Sequence, residues 1–122
     1  MGADKLYAAI DPAPEVDPDE LLAALPTGEF FRWERVRDGV VTLCRYSHDR
    51  EIVRRMIDAE LEKVNQVAMV EIYDTAMSGT GYLYERVGED LVLVDQTTGD
   101  ELYGADVTDY FEWRYGIDAR RL

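Results

Sequence analysis

Between residues 29 and 47, two runs of branched, aromatic and charged side chains flank the dipeptide Asp38-Gly39. That dipeptide tolerates the positive φ angles of a two-residue hairpin turn, so the stretch predicts an antiparallel ribbon. A turn centred on Asp38-Gly39 sets Trp33 opposite Cys44, Arg32 opposite Arg45 and Phe31 opposite Tyr46. One face then carries Phe31, Trp33, Cys44 and Tyr46, and the other carries Arg32, Glu34 and Arg45, with Val36 and Val41 near the turn. A ribbon that stacks single-stranded bases needs rings and cations on the same face. Here they separate, and the ring face is expected to point inward, toward the amphipathic segment 49–64.

That segment repeats at a helical interval: Ile52, Val53, Met56, Ile57, Leu61 and Val64 form a stripe, and Glu51/Arg55 and Arg54/Asp58 are opposite charges four residues apart on the other side. Upstream, Asp17-Pro18-Asp19-Glu20 reads as a helix start, with a capping carboxylate, proline in the first turn and acids at the positive end of the dipole. Leu21, Leu22 and Leu25 follow, and Pro26-Thr27-Gly28 ends that helix. Residues 1–16, with Pro12 and Pro14 and no apolar period, read as a flexible leader.

Downstream, Val67 to Tyr73 is a branched strand and 74–81 a loop. Tyr82–Val87 and Leu91–Asp95 form a second hairpin, 96–100 a turn, and Glu101–Tyr103 a short strand. A last helix runs from Asp106 to a left-handed stop at Gly116. The pattern α-β-β-α-β-β-β-β-α implies one α+β domain over residues 17–122. Its antiparallel sheet has about six strands, with helices mainly on one face.

Charge narrows the function. The chain holds 26 acids against 13 bases, a net charge of −13, and only Lys5 and Lys63 among the bases are lysine. Acids are spread evenly along the chain, which suits a surface adapted to a salt-rich cytoplasm, where a short Debye length erases carboxylate repulsion. A directed acidic face that mimics nucleic acid is the alternative. Seven of the bases fall between Arg32 and Arg55, a docking patch for phosphates or for an acidic protein. Equally, those arginines can neutralise carboxylates within the fold or a homodimer. The N-terminus lacks the basic start and apolar middle of a signal peptide, and a single cysteine excludes an intramolecular disulfide, so cytoplasm is the expected compartment.

Catalytic signals are weak. Cys44 and His48 are four apart, a separation of roughly 13 Å on a strand, too far for a thiolate–imidazole pair. Ser78-Gly79-Thr80-Gly81 lacks a P-loop lysine and leads into a strand rather than a helix. Ser78 and Thr80 remain ligand candidates only as loop residues. No cofactor or metal is implied, and no membrane role. The chain reads as a non-enzymatic binding or regulatory module acting on a protein partner and able to self-associate. Tyr110 and Trp113 are its expected interface anchors and Arg32, Arg45, Arg54 and Arg55 its charge partners. A nucleic-acid module built on the hairpin 29–55 is the second reading.

Overall fold

A computed structural model describes residues 4–29, 31–45, 50–74, 77–99 and 105–118. Its elements are β1 (Lys5–Pro12), α1 (Pro18–Ala24), β2 (Phe31–Val36), β3 (Gly39–Arg45), α2 (Arg50–Asp58), a 3-10 turn (Leu61–Lys63), β4 (Val64–Tyr73), β5 (Ser78–Val87), β6 (Asp90–Gly99) and α3 (Ala105–Tyr115). Together they form the α+β architecture the pattern implies, a single antiparallel sheet of six strands with three helices. The strand order is β2-β3-β1-β4-β5-β6. The expected strand Glu101–Tyr103, Tyr46 and His48 lie outside the described residues, and the turn expected over 96–100 is strand as far as Gly99.

The leader expected over residues 1–16 is corrected. Lys5–Pro12 is a central strand, paired to β3 from Lys5↔Arg45 to Ile10↔Val40 and to β4 from Lys5↔Ile72 onward. Leu6, Tyr7, Ala8, Ala9 and Ile10 are all buried. A strand covered on both faces is a continuous apolar run with no period of two, so an alternation test passes over it. Pro12, which has no N–H to donate, sits where the ladder shifts register between Asp11 and Pro12.

Both faces are covered because the helices divide between them, α1 and α2 on one face and α3 on the other. Leu21 and Leu25 of α1 and Val53 and Ile57 of α2 pack with Leu6, Ile10, Trp33, Val40, Cys44, Val67 and Met69. On the opposite face Val107, Phe111 and Tyr115 of α3 meet Tyr7, Ala9, Ala68, Val70 and Ile72. Alternation along β4 feeds both cores. Asp17 caps α1 through its carboxylate, which accepts from the Asp19 N–H at 2.8 Å. Gly116, at φ +67°, closes α3 with its N–H donating to the Glu112 carbonyl.

The first hairpin has its turn at Arg37-Asp38, with Arg37 at φ 52°, so Trp33 faces Thr42 and Phe31 faces Cys44. That is a slip of two residues from the expected register. A slip of two, unlike a slip of one, leaves every side chain on its expected face. Trp33 and Cys44 are accordingly buried, 3% and 1% exposed, and Phe31 packs beside them. Gly39 opens β3 instead of forming the turn, because a Cβ there would lie 2.8 Å from the Ile10 carbonyl oxygen and inside the ring of Tyr115.

Candidate functional site

The α3 face is covered unevenly. Over β4 and β5 the helix lies close, and Gly81 permits this: a Cβ there would sit 2.7 Å from the Val107 Cβ. Toward β3 and β2 no helix follows among the described residues. Val36, Val41 and Leu43 stay half-buried there. With Tyr7 and Ile117 they form the apolar part of a groove of about 670 Å³. Thr42, Lys5, Arg32 and Glu34 complete its lining. The strands explain the grouping. Odd positions of β1 and β3 and even positions of β2 share this face, and the pairs Tyr7↔Leu43, Arg32↔Leu43 and Glu34↔Val41 bring them side by side.

The groove has a direction. Val36 pairs with Gly39 at the turn end, where the Arg37 guanidinium lies against Gly116, the residue before Ile117. Lys5 and Arg32 lie toward the other end, and the register sets the backbone of Arg45 opposite Lys5. Among the described residues neither Lys5 nor Arg32 forms an ion pair. Of the remaining bases of the basic window, three are engaged. Arg35 binds Asp19 at 2.7 Å, Arg50 approaches Glu71 at 3.8 Å, and Arg54 approaches Glu51 and Asp58 at 3.9 and 4.0 Å. Several arginines therefore serve the fold's own carboxylates, while the groove keeps two cations beside an apolar floor.

The residues singled out from sequence do not converge. Arg32 lines the groove, whereas the side chain of Arg45 lies outside the described set. Arg54 sits on α2, at the opposite face, with its guanidinium 5.7 Å from the Tyr84 ring centroid and donating to the Leu91 carbonyl. Arg55 is exposed on the same helix. On α3, Trp113 is 74% exposed, but Tyr110 is turned inward, its hydroxyl donating to Asp11 Oδ2 at 2.9 Å. Ser78 and Thr80 belong to β5, not to a loop, and Thr80 is buried with its hydroxyl 3.3 Å from that of Thr98.

Two buried carboxylates anchor helices. Asp11 accepts from Arg114 Nε at 2.6 Å and from Tyr110, and Tyr115 lies at 3.5 Å, which ties α3 to the end of β1. Burial first, then the Asp11 charge, raises the Tyr110 phenol above its ordinary range. Glu71 faces α2, where the Arg50 guanidinium stacks 3.8 Å from the Tyr82 ring centroid. The Tyr82 phenol is likewise raised, by burial and then by its bond to Glu71. These groups hold their protons and their partners, an arrangement for fixing helices rather than for exchanging protons. Burial also pushes the Cys44 thiol up to about 11, which removes the thiolate a nucleophile needs.

Comparison with family models, curated proteins and solved structures finds no match. The groove is therefore read from its own chemistry. Sequence reasoning singled out only Arg32 of its lining as a site residue, although it placed Glu34, Val36 and Val41 on the same face. The signal that could have found the rest is the odd-numbered set Val41 and Leu43, apolar on the ribbon face assigned to charge.

Proposed function

We propose that this chain is a binding module that seats a segment of a partner protein in the groove formed by β1, β2 and β3. The single observation behind this reading is the uncovered half of the α3 face, where Val36, Val41, Leu43 and Ile117 remain only partly buried beside a volume of about 670 Å³. Partly exposed apolar side chains gathered in one place mark interaction surfaces more often than scattered ones do. Among the described residues the lining comes from the floor strands and from Ile117, so the groove is read as an open trough rather than the enclosed pocket that buries a small ligand. Trp33 is buried against the other core and offers no platform for a base, which favours a protein segment over single-stranded nucleic acid.

The wider surface fits an acid-rich, salt-rich cytoplasm. Carboxylates are exposed on α1, α2, α3 and several connections, with no concentration at the groove. Among the described residues no helix is long and apolar enough to cross a membrane. A random heptapeptide display library, selected on the immobilised chain and on Val41→Lys, tests the reading. Wild type should enrich a consensus that Val41→Lys loses. Equal enrichment on both would place the binding surface elsewhere and remove the groove from consideration.

A further inference from the structure

We infer that the groove reads one kind of segment in one direction: an extended stretch of a partner protein with apolar side chains at one end and a carboxylate at the other. This rests on the reading of the groove as a docking site and adds the chemistry and polarity of its occupant. The apolar end lies at Val36, Val41 and Ile117, and the cationic end at Arg32, level with Leu43, and Lys5, one row beyond it. From Val41 to the backbone of Arg45, opposite Lys5, is four residues of strand, about 13 Å. An extended segment of about four residues spans that length.

Charge complementarity selects the occupant. What distinguishes Lys5 and Arg32 from the other bases without an ion pair among the described residues, Arg37, Arg55 and Arg86, is that they line the apolar groove together. Arg35, Arg50, Arg54, Lys63 and Arg114 all have carboxylate partners within 4.0 Å. Lys5 and Arg32 have none among the described residues, although Glu34 lines the same groove. Their separation leaves a place where an incoming carboxylate gains two partners without displacing one. A second copy of this chain carries its own net charge of −13, so the two molecules repel as wholes, whereas a short segment with one carboxylate brings little charge. Rim cations in a negatively charged molecule also give a dipolar field that orients an approaching acidic segment before contact.

The test uses the peptide ranked first from the heptapeptide selection, synthesised with a fluorescent label and titrated against the folded chain and two variants. Lys5→Glu with Arg32→Glu should weaken an acid-ended peptide by about tenfold or more, and selection on that variant should switch to base-ended peptides. Glu34→Lys, which adds a cation without removing a contact, should tighten the same peptide several-fold, and this result stands even if the double variant folds poorly. Retention of one unchanged consensus and one unchanged Kd across these variants, with Val41→Lys still abolishing binding, would overturn the polarity while leaving the groove as the docking site. Loss of the Val41 dependence would overturn both. Concentration-dependent dimerisation of the isolated chain, abolished by Val41→Lys, would assign the groove to a second copy and overturn the inference.

Discussion

The two halves of the sheet face beneath α3 solve opposite problems with the same alternation. Under the helix the sheet presents Ala9, Ala68 and Gly81, and these small residues let Val107, Phe111 and Tyr115 approach closely and become fully buried. Beyond the helix the sheet presents Val41 and Leu43, larger groups that no element among the described residues covers completely. Helix packing on a sheet is limited by the height of the side chains beneath it. A row of small residues marks where the chain covers itself, and a row of large ones beside it marks where something else can be covered.

This contrast can be broken most strongly on the sealed side. Phe111→Ala removes the largest fully buried side chain of α3 and should cost about 3–5 kcal/mol, read as a lower urea midpoint at unchanged slope. A loss near 1 kcal/mol would mean that α3 is only loosely docked. Gly81→Val should cost about 1–3 kcal/mol by driving a Cβ into Val107. If that substitution is neutral, close approach of the helix is not what the small row provides.

Alkaline titration sharpens the same contrast. Burial raises the Cys44 thiol from 9.0 to about 11 and carries the phenols of Tyr110 and Tyr115 higher than their ordinary 10.0. Each group holds its proton more tightly when folded than when unfolded. Its stabilising contribution is thus complete below the unfolded pKa and is lost as pH rises through the folded one. Stability should fall from about pH 9 upward, and tyrosinate absorbance from α3 should appear together with loss of circular dichroism. Smooth ionisation of these tyrosines in the folded chain near pH 10 would contradict their burial.

On the open side the effects on stability shrink and those on binding grow. Leu43→Ala is expected to cost under about 1.5 kcal/mol, because the side chain is only half-buried, while weakening the selected peptide by about tenfold. Trp113→Ala, outside the groove lining and 74% exposed, should change stability by within about 0.5 kcal/mol and leave the peptide affinity unaltered. A large loss of peptide binding in Trp113→Ala would instead join α3 to the docking surface.

Much of the fold was legible because its signals are local. Asp17-Pro18 capped a helix where expected, Gly116 ended one, and the ribbon kept its rings on one face despite a slip of two residues. Gly39 illustrates the limit. Its place beside Asp38 looked like turn chemistry, yet what requires glycine there is the Tyr115 ring and the Ile10 carbonyl, both remote in sequence. Tyr110 shows the same limit at the candidate site. An aromatic on a charged helix read as an anchor, but its partner is Asp11, in a segment that looked unstructured.

By itself the sequence determined the element types, the caps, the faces of the first hairpin and the excess of acid, since each depends on neighbours within a few positions or on composition alone. Only the tertiary structure decided that Lys5–Pro12 is the central strand, that the helices divide between two faces, and that Val36, Val41, Leu43 and Ile117 share a trough with Lys5 and Arg32. The physical reason is that double-sided burial erases the period of two, and a groove is defined by where a helix stops short, a distance no local pattern encodes.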